Sequence, residues 1–594
     1  MVRRIRSLRQ IACGLAALLA LAAGSAGAQT KPQAAAAPSA HTRSAVVRQA
    51  AARPKLVVLL VVDQMRGDYV EKFQGQWTGG LKRLVEEGAW FRNAAYPYAA
   101  TETCVGHATI STGAFPAMHG MVANEWWDRE QARQVTCTAD PQAKNTGYAG
   151  IAVKGGDSGW RLAVPSFAEE LRFQSGGATR VVTFSLKARA AIDLAGHRGD
   201  AVTWFDGGAG AWTTSNVYGA APFVEEYATA HPVKEDYGKT WAALLPAAAY
   251  LYDEKATGAV PPDGWGAALP HPLRGVDRSA VTLEKDGGAG PDRAFYQQWQ
   301  TSPYADAYLG RLAEQAVDAL GLGQRGGTDF LGVSFSALDF AGHAFGPRSH
   351  EVQDVLARLD GTLGALLAHL DKKVGRGNYV VAISADHGVV PIPEDMAWTG
   401  ADAGWVKLAE VAPRIEKALE PFHYPKPVLA SAGSDIYFAP GVYERLKSDA
   451  AALQAVLQAL EQIPGVARVY RAEELQDHPA SASPLRNALA AGYFAGRSGD
   501  LFLLPKPYWA MDYSAAGAAR RYGTVHGTPY LYDQRVPILL MGFGIRPGEY
   551  WTAATPADIA PTLAALCGIT LAPRDGRVLA DALQSAAAAK PAPH

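Results

Sequence analysis

The sequence predicts an α/β fold built on a central, mostly parallel sheet flanked by helices. Three observations carry that prediction. First, residues Leu56–Val62, 330–335 and Tyr379–Ser384 are unbroken apolar or near-apolar runs. They lack the alternation of a half-solvated strand and read as strands covered on both faces. Second, an acid follows each run within a few residues: Asp63, Asp339 and Asp386. The crevice beyond the carboxyl ends of parallel strands is where open α/β sheets bind ligands. Third, helical periodicity follows the strands. Leu81, Leu84 and Val85 share a face that stops at Gly88, and Val352, Leu356, Leu359, Leu363, Leu366, Leu367 and Leu370 line another.

Ahead of the first strand, residues 1–28 read as a secretory signal peptide. Arg3, Arg4, Arg6 and Arg9 form a basic start, IACGLAALLALAA is a short apolar stretch, and Ala26-Gly27-Ala28 is a small-residue cleavage site. The apolar run is too short to span a bilayer comfortably. Residues 29–53 are rich in Ala and Pro and read as a flexible linker, as does the tail 585–594. A single large catalytic domain is expected over 54–584, with insertions at about 195–310 and 400–510. The first insertion is rich in Gly, Trp, Tyr and Pro and reads as a cover over the sheet edge. The second carries an amphipathic helix through Leu453, Val456, Leu457 and Leu460, and reads as a small α/β subdomain. Residues 321–327, GLGQRGG, lack the GK[ST] ending of a phosphate loop and read as a turn.

Removing the four signal arginines from the 56 Lys and Arg leaves 52 against 57 acids, a net charge of about −5. With no basic tract, neither nucleic acid nor a membrane surface is an expected partner. Cys13 leaves with the signal. Cys104, Cys137 and Cys567 remain, which allows one bridge whose pairing the sequence leaves open.

The chain is organised around residues 101–124, TETCVGHATISTGAFPAMHGMVAN. Thr103 there could cap a helix or act as a nucleophile, which needs activation by neighbouring groups. Asp63 could likewise cap the next helix or ligate a metal. Lys187 and Arg189 follow a strand read at residues 180–184. Their spacing of two would put both on one side of an extended chain, as surface charges or as a grip on an anion. Asp339 and His343, four apart, can converge on one metal. Asp386 and His387 stand side by side at a strand end. His526 lies between Gly523 and Gly527 in RRYGTVHGTPY, where it could be structural or a ligand. His350 and His369 read as packing or solvent histidines.

Taken together, these residues occur in the order and contexts of the alkaline phosphatase superfamily. The TxxGHA opening, the NEWWDR run beginning at Asn124, the KAR triplet and the GTVHG loop resemble the PafA-type alkaline phosphatases, which are monomeric bacterial enzymes with a threonine nucleophile. The resemblance covers essentially the whole mature chain and implies an alkaline-phosphatase-like fold with inserted cap segments. It implies a periplasmic or secreted phosphomonoesterase with two Zn²⁺ per chain and a phosphothreonine intermediate. One metal would be held by Asp339, His343 and His526. The other would be held by Asp63, Asp386, His387 and the Thr103 oxygen. Asn124, Lys187 and Arg189 would bind phosphoryl oxygens. A nucleotide pyrophosphatase/phosphodiesterase is the alternative: it shares the metals, Thr and Asn but is not expected to keep the Lys-x-Arg pair. A sulfatase would need a modified Cys or Ser, usually followed by Pro and Arg, and Cys104 is followed instead by Val105-Gly106-His107. A non-catalytic binding module is suggested only by the aromatic insertions.

Overall fold

The computed structural model describes residues 52–276, 291–476 and 483–584. The expected signal segment, the linker up to residue 51 and the tail from 585 lie outside the described residues.

Ten strands form the central sheet among the described residues. In chain order they are β1 (Leu56–Val62), β2 (Ala89–Phe91), β3 (Asn145–Gly147), β4 (Val181–Ser185), β5 (Ala201–Asp206), β6 (Ala211–Ser215), β7 (Asp329–Phe335), β8 (Tyr379–Ser384), β9 (Ile538–Gly542) and β10 (Gly548–Tyr550). Their spatial order is β10-β2-β9-β8-β1-β7-β4-β5-β6-β3. The middle five, β8-β1-β7-β4-β5, run parallel. Strand β9 pairs antiparallel with β8 on one side, and β6 pairs antiparallel with β5 on the other.

Strand β1 lies at the centre, and every one of its residues is at most 1 % exposed. Its side chains alternate between two hydrophobic cores. Leu56, Val58, Leu60 and Val62 face one core, and Val57, Leu59 and Val61 face the other. Burying such a side chain contributes roughly 1.5–3 kcal/mol. This two-sided burial is why the run carries no polar alternation. The first core is completed by helices Pro303–Leu320 and His350–Leu370, whose leucine stripes pack on it.

The structure corrects two readings of the sequence. Residues 195–310 do not begin as a cover over the sheet edge, because β5 and β6 extend the main sheet by pairing with β4 and with each other. Trp204 and Trp212 are 3 % exposed, so these two aromatics of the stretch belong to the sheet core rather than to a cover. The second correction concerns Lys187 and Arg189. The chain is extended at Lys187, but a helix, Ala188–Ala195, starts at the next residue. Arg189 therefore stands on a first helical turn, not along an extended chain with Lys187.

Residues 404–512 carry their own four-stranded antiparallel sheet, Val428–Ala432, Asp435–Phe438, Leu501–Pro505 and Val466–Arg471 in spatial order, with the helix Ala450–Glu461 and a separate core.

Candidate active site

The site forms where the parallel strands end. Asp63 follows β1, Lys187 follows β4, Asp339 follows β7, and Asp386 with His387 follows β8. Three of these strands, β8, β1 and β7, are direct neighbours in register, so their trailing acids converge without any long loop.

Thr103 is the first residue of α1 (Thr103–Thr112), and it is 1 % exposed. Glu102 occupies the cap position, and no side chain caps this helix, so the Thr103 hydroxyl is not used as a cap. The cap reading of Asp63 also fails, because the next helix, Gly67–Lys72, is preceded by Arg66. The Thr103 hydroxyl oxygen instead lies 3.5 Å from His387 Nε2, 3.4 Å from Lys187 Nζ and 3.4 Å from an Arg189 terminal nitrogen. An α-helix start favours negative charge near it. Close approach of α1 to the Asp386 segment depends on Gly106, where a Cβ would fall 2.1 Å from the Asp386 carbonyl oxygen.

Two trios of ligand-type side chains meet here. Asp339, His343 and His526 form one, and Asp63, Asp386 and His387 form the other. Within each trio the candidate ligand atoms lie within 4.8 Å of one another. Asp339 and His343 share one face of the helix Ala337–Phe345, with His343 Nε2 3.3 Å from Asp339 Oδ1. The three imidazoles are oriented alike. His343 Nδ1 meets the Thr524 carbonyl at 2.8 Å, His526 Nδ1 the Thr101 carbonyl at 2.8 Å, and His387 Nδ1 the Gly388 carbonyl at 2.9 Å. Donating at Nδ1 leaves Nε2 as a lone-pair donor aimed into the site, the usual arrangement behind a metal-ligating histidine. Asp63 Oδ1 and Asp386 Oδ2 are buried without a hydrogen bond, which is costly unless a cation completes them. The residues therefore fit two metal ions.

The electrostatics agree with that donor set. Burial, then the neighbouring His387 and His343, pushes the His526 pKa well below the ordinary imidazole value. Burial also lowers that of His387. The His387 and His526 rings stack at 3.5 Å between centroids, a spacing that suits two neutral rings. Burial and the charges of Asp339 and Asp386 push Asp63 well up. Burial acts the same way on Asp339, but the Lys187 ammonium and then His343 override it and hold that carboxyl well below its usual range. The Lys187 ammonium reaches both trios, 2.6 Å from Asp63 Oδ2 and 2.5 Å from Asp339 Oδ2.

Asn124 accepts the Cys104 backbone N–H on Oδ1 at 2.9 Å, and its own N–H donates to Glu102 at 2.6 Å. With Oδ1 committed, its amide NH₂ is the group left for the cavity that Asn124 lines. The disulfide Cys104–Cys137 ties the start of α1 to the hairpin that follows Asn124, and Cys567 is a buried free thiol.

Three supporting residues were not singled out from sequence. Gln64, in a left-handed conformation (φ 67°), links the trios by donating its N–H to Asp386 at 3.0 Å and its side-chain amide to Asp339 at 2.7 Å. Its only sequence signal is adjacency to Asp63. His107, one helical turn after Thr103, sits 3.3 Å from Asp386 and bonds the Thr103 carbonyl and Ser334 at 2.8 and 2.7 Å. The four-residue spacing from Thr103 could have revealed it. Glu102 holds the Asn124 backbone.

Comparison with known proteins places the chain in a family. The profile of the type I phosphodiesterase / nucleotide pyrophosphatase family matches residues 57–529. The chain is 31 % identical over 574 residues to alkaline phosphatase PhoV of Synechococcus elongatus, covering 96 % of this chain and 98 % of that one. It is 31 % identical over 521 residues to alkaline phosphatase PafA of Elizabethkingia meningoseptica, covering 87 % and 92 %. The chain belongs to the PafA-type branch of the alkaline phosphatase superfamily. The crystal structure of wild-type PafA superposes with a TM-score of 0.75 at 28 % identity, covering 90 % of this chain and 99 % of that one. Among the described residues, no helix is long and apolar enough to cross a membrane.

Proposed function

We propose that this phosphatase hydrolyses phosphate monoesters in two displacements, with Thr103 as the nucleophile and a phosphothreonine intermediate. The observation that carries the reading is the position of the Thr103 hydroxyl, within 3.5 Å of His387, Lys187 and Arg189 at once.

Asp339, His343 and His526 would hold one Zn²⁺, and Asp63, Asp386, His387 and the Thr103 oxygen a second. Such a pair, when bound, lowers the pKa of a coordinated hydroxyl and stabilises both attacking and leaving oxygens of an in-line displacement. The chain's own residues supply the rest. Gln64 and His107 hold the trio carboxylates in place. Lys187, Arg189 and the Asn124 amide offer donors to the non-bridging phosphoryl oxygens, where positioning and charge neutralisation are the main catalytic contributions. Thr103 gives its proton to solvent and forms the new O–P bond as the ester O–P bond breaks, and the leaving oxygen departs as the alcohol after taking a proton from water. Water then cleaves the phosphothreonine, releasing inorganic phosphate and restoring the hydroxyl.

A monoester brings a dianion with three free oxygens, whereas a diester brings a monoanion with two and a second ester group. Two cations beside Thr103 favour the former over the phosphodiesterase reading suggested by the family's name. The buried bridge of Cys104 and Cys137 supports an oxidising destination, in keeping with export to the periplasm or beyond. The test is turnover of an aryl phosphate monoester against the matching diester by zinc-loaded protein. A preference for the diester would replace this reading with that of a phosphodiesterase.

A further inference from the structure

The cavity over the site has a volume of about 380 Å³, within the range that encloses a small-molecule ligand rather than a phosphoryl group alone. One part of its lining is Asn124 and Arg189. Another is a separate segment, Tyr513, Arg521 and Tyr522. Tyr522 lies 4.9 Å from His343 between ring centroids, so this segment borders the space next to the candidate ligands, where the group attached to the phosphoryl would extend.

Arg521 differs from its sequence neighbour. Arg520 is held 2.7 Å from Glu394, and its guanidinium lies 4.3 Å from the Trp405 ring. Arg521 is exposed and has no hydrogen bond, ion pair or ring contact among the described residues. The acids on the same cavity are already engaged: Glu102 accepts the Asn124 N–H, and Glu125 accepts the Gln134 side-chain amide at 2.8 Å. An unpaired guanidinium with five donors, lining the same cavity as two tyrosines that are 45 % and 38 % exposed, is built to receive a planar or branched anion.

We infer that Arg521 recognises the leaving group, and that the enzyme favours phosphate monoesters whose leaving group carries a second anion, a carboxylate or a further phosphate. This rests on the monoesterase reading above. An Arg521 contact would form in the ground state and persist in the transition state, so it should act mainly on KM.

The experiment compares matched substrates in wild type, Arg521→Ala and Arg521→Lys. The carboxylate arm sets 4-carboxyphenyl phosphate against phenyl phosphate. The phosphate arm sets 1,3-propanediol bisphosphate against its monophosphate. Using the kcat/KM ratio within each pair removes differences in intrinsic reactivity between the variants. The expected result is a roughly tenfold fall in the ratio for Arg521→Ala, carried by KM, as suits one charge-assisted contact at a partly exposed site. Arg521→Lys should recover part of it, and added salt should narrow the gap. A fall in only one arm identifies which anion is recognised. Unchanged ratios in both arms, or equal losses for both members of each pair, overturn the inference and leave the monoesterase reading intact. If the wild type turns over none of the four esters, both readings fall.

Discussion

The Lys187 ammonium stands 3.4 Å from the Thr103 hydroxyl oxygen. The same ammonium bridges Asp63 and Asp339, one carboxylate from each trio. It therefore lies at the junction of nucleophile, candidate metal ligands and substrate. Replacing Lys187 and Arg189 together by Ala should cut monoester kcat/KM by two orders of magnitude or more. A charge-assisted hydrogen bond contributes roughly 1.5–3 kcal/mol, about ten- to a hundredfold in rate each. Diester hydrolysis should fall much less, and steady-state kinetics on both ester classes checks the difference.

Loss of the Thr103 hydroxyl should remove most turnover while the fold persists. Thr103→Ala should lower kcat on the order of 10³-fold or more, whereas Thr103→Ser should keep a large part of it. Acid quenching during turnover, followed by peptide mass spectrometry, should place phosphate on Thr103. Phosphate found on another residue, or full activity in Thr103→Ala, would contradict the nucleophile role.

Elemental analysis of active protein should find two zinc ions per chain, and chelation should abolish activity. Asp386→Ala should lose both metal and rate, since Asp386 also anchors the Gln64 and His387 backbones at 3.0 Å. A metal content of one or fewer in fully active enzyme would refute the two-ion site.

Gly106→Ala should damage the site from behind. The new methyl would meet the Asp386 carbonyl oxygen at 2.1 Å and its Cα at 2.5 Å, forcing α1 and the ligand segment apart. Overpacking of this kind costs about 1–3 kcal/mol, and disturbed ligand support typically weakens metal binding ten- to a hundredfold. Thermal melts and metal titration check this. Gly75→Ala, at a position with open space around it, is the control and should change neither.

His119 makes stability depend on pH. It is fully buried between Thr109 and the Met121 N–H, and burial, then the nearby Arg497 charge, lowers its pKa to about 3. Its folded pKa lies below the unfolded value of about 6.5. Below that pH the unfolded chain therefore gains a proton that the folded chain refuses. Stability is retained above about pH 6.5 and lost as pH falls toward 3. Between pH 6.5 and 4.5 the loss should be about 2–3 kcal/mol. Denaturant titrations across that range should show a shallower pH slope for His119→Gln than for wild type. Equal slopes would remove His119 from the account.

The sequence by itself determined the central strands β1, β7 and β8 and which acids follow them. Strand β1 was legible because burial on both faces demands a run such as Leu56–Val62, and Asp63 was legible because a charge ends that run. Asp386-His387 after Tyr379–Ser384 was legible for the same reason. These are local signals, set by which side chains one strand can bury. Only the tertiary structure decided what those residues meet. It paired Cys104 with Cys137, leaving Cys567 alone in the core, and it brought residues 201–215 into the main sheet, where their aromatic content had suggested a surface cover. It also set Lys187 and Arg189 at the junction of a strand and a helix, where they converge on Thr103 despite facing along different elements. The grouping of Tyr513, Arg521 and Tyr522 with Arg189 around one cavity has no sequence signature at all. Such convergence depends on how strands hundreds of residues apart register against each other, a relation that no local periodicity encodes.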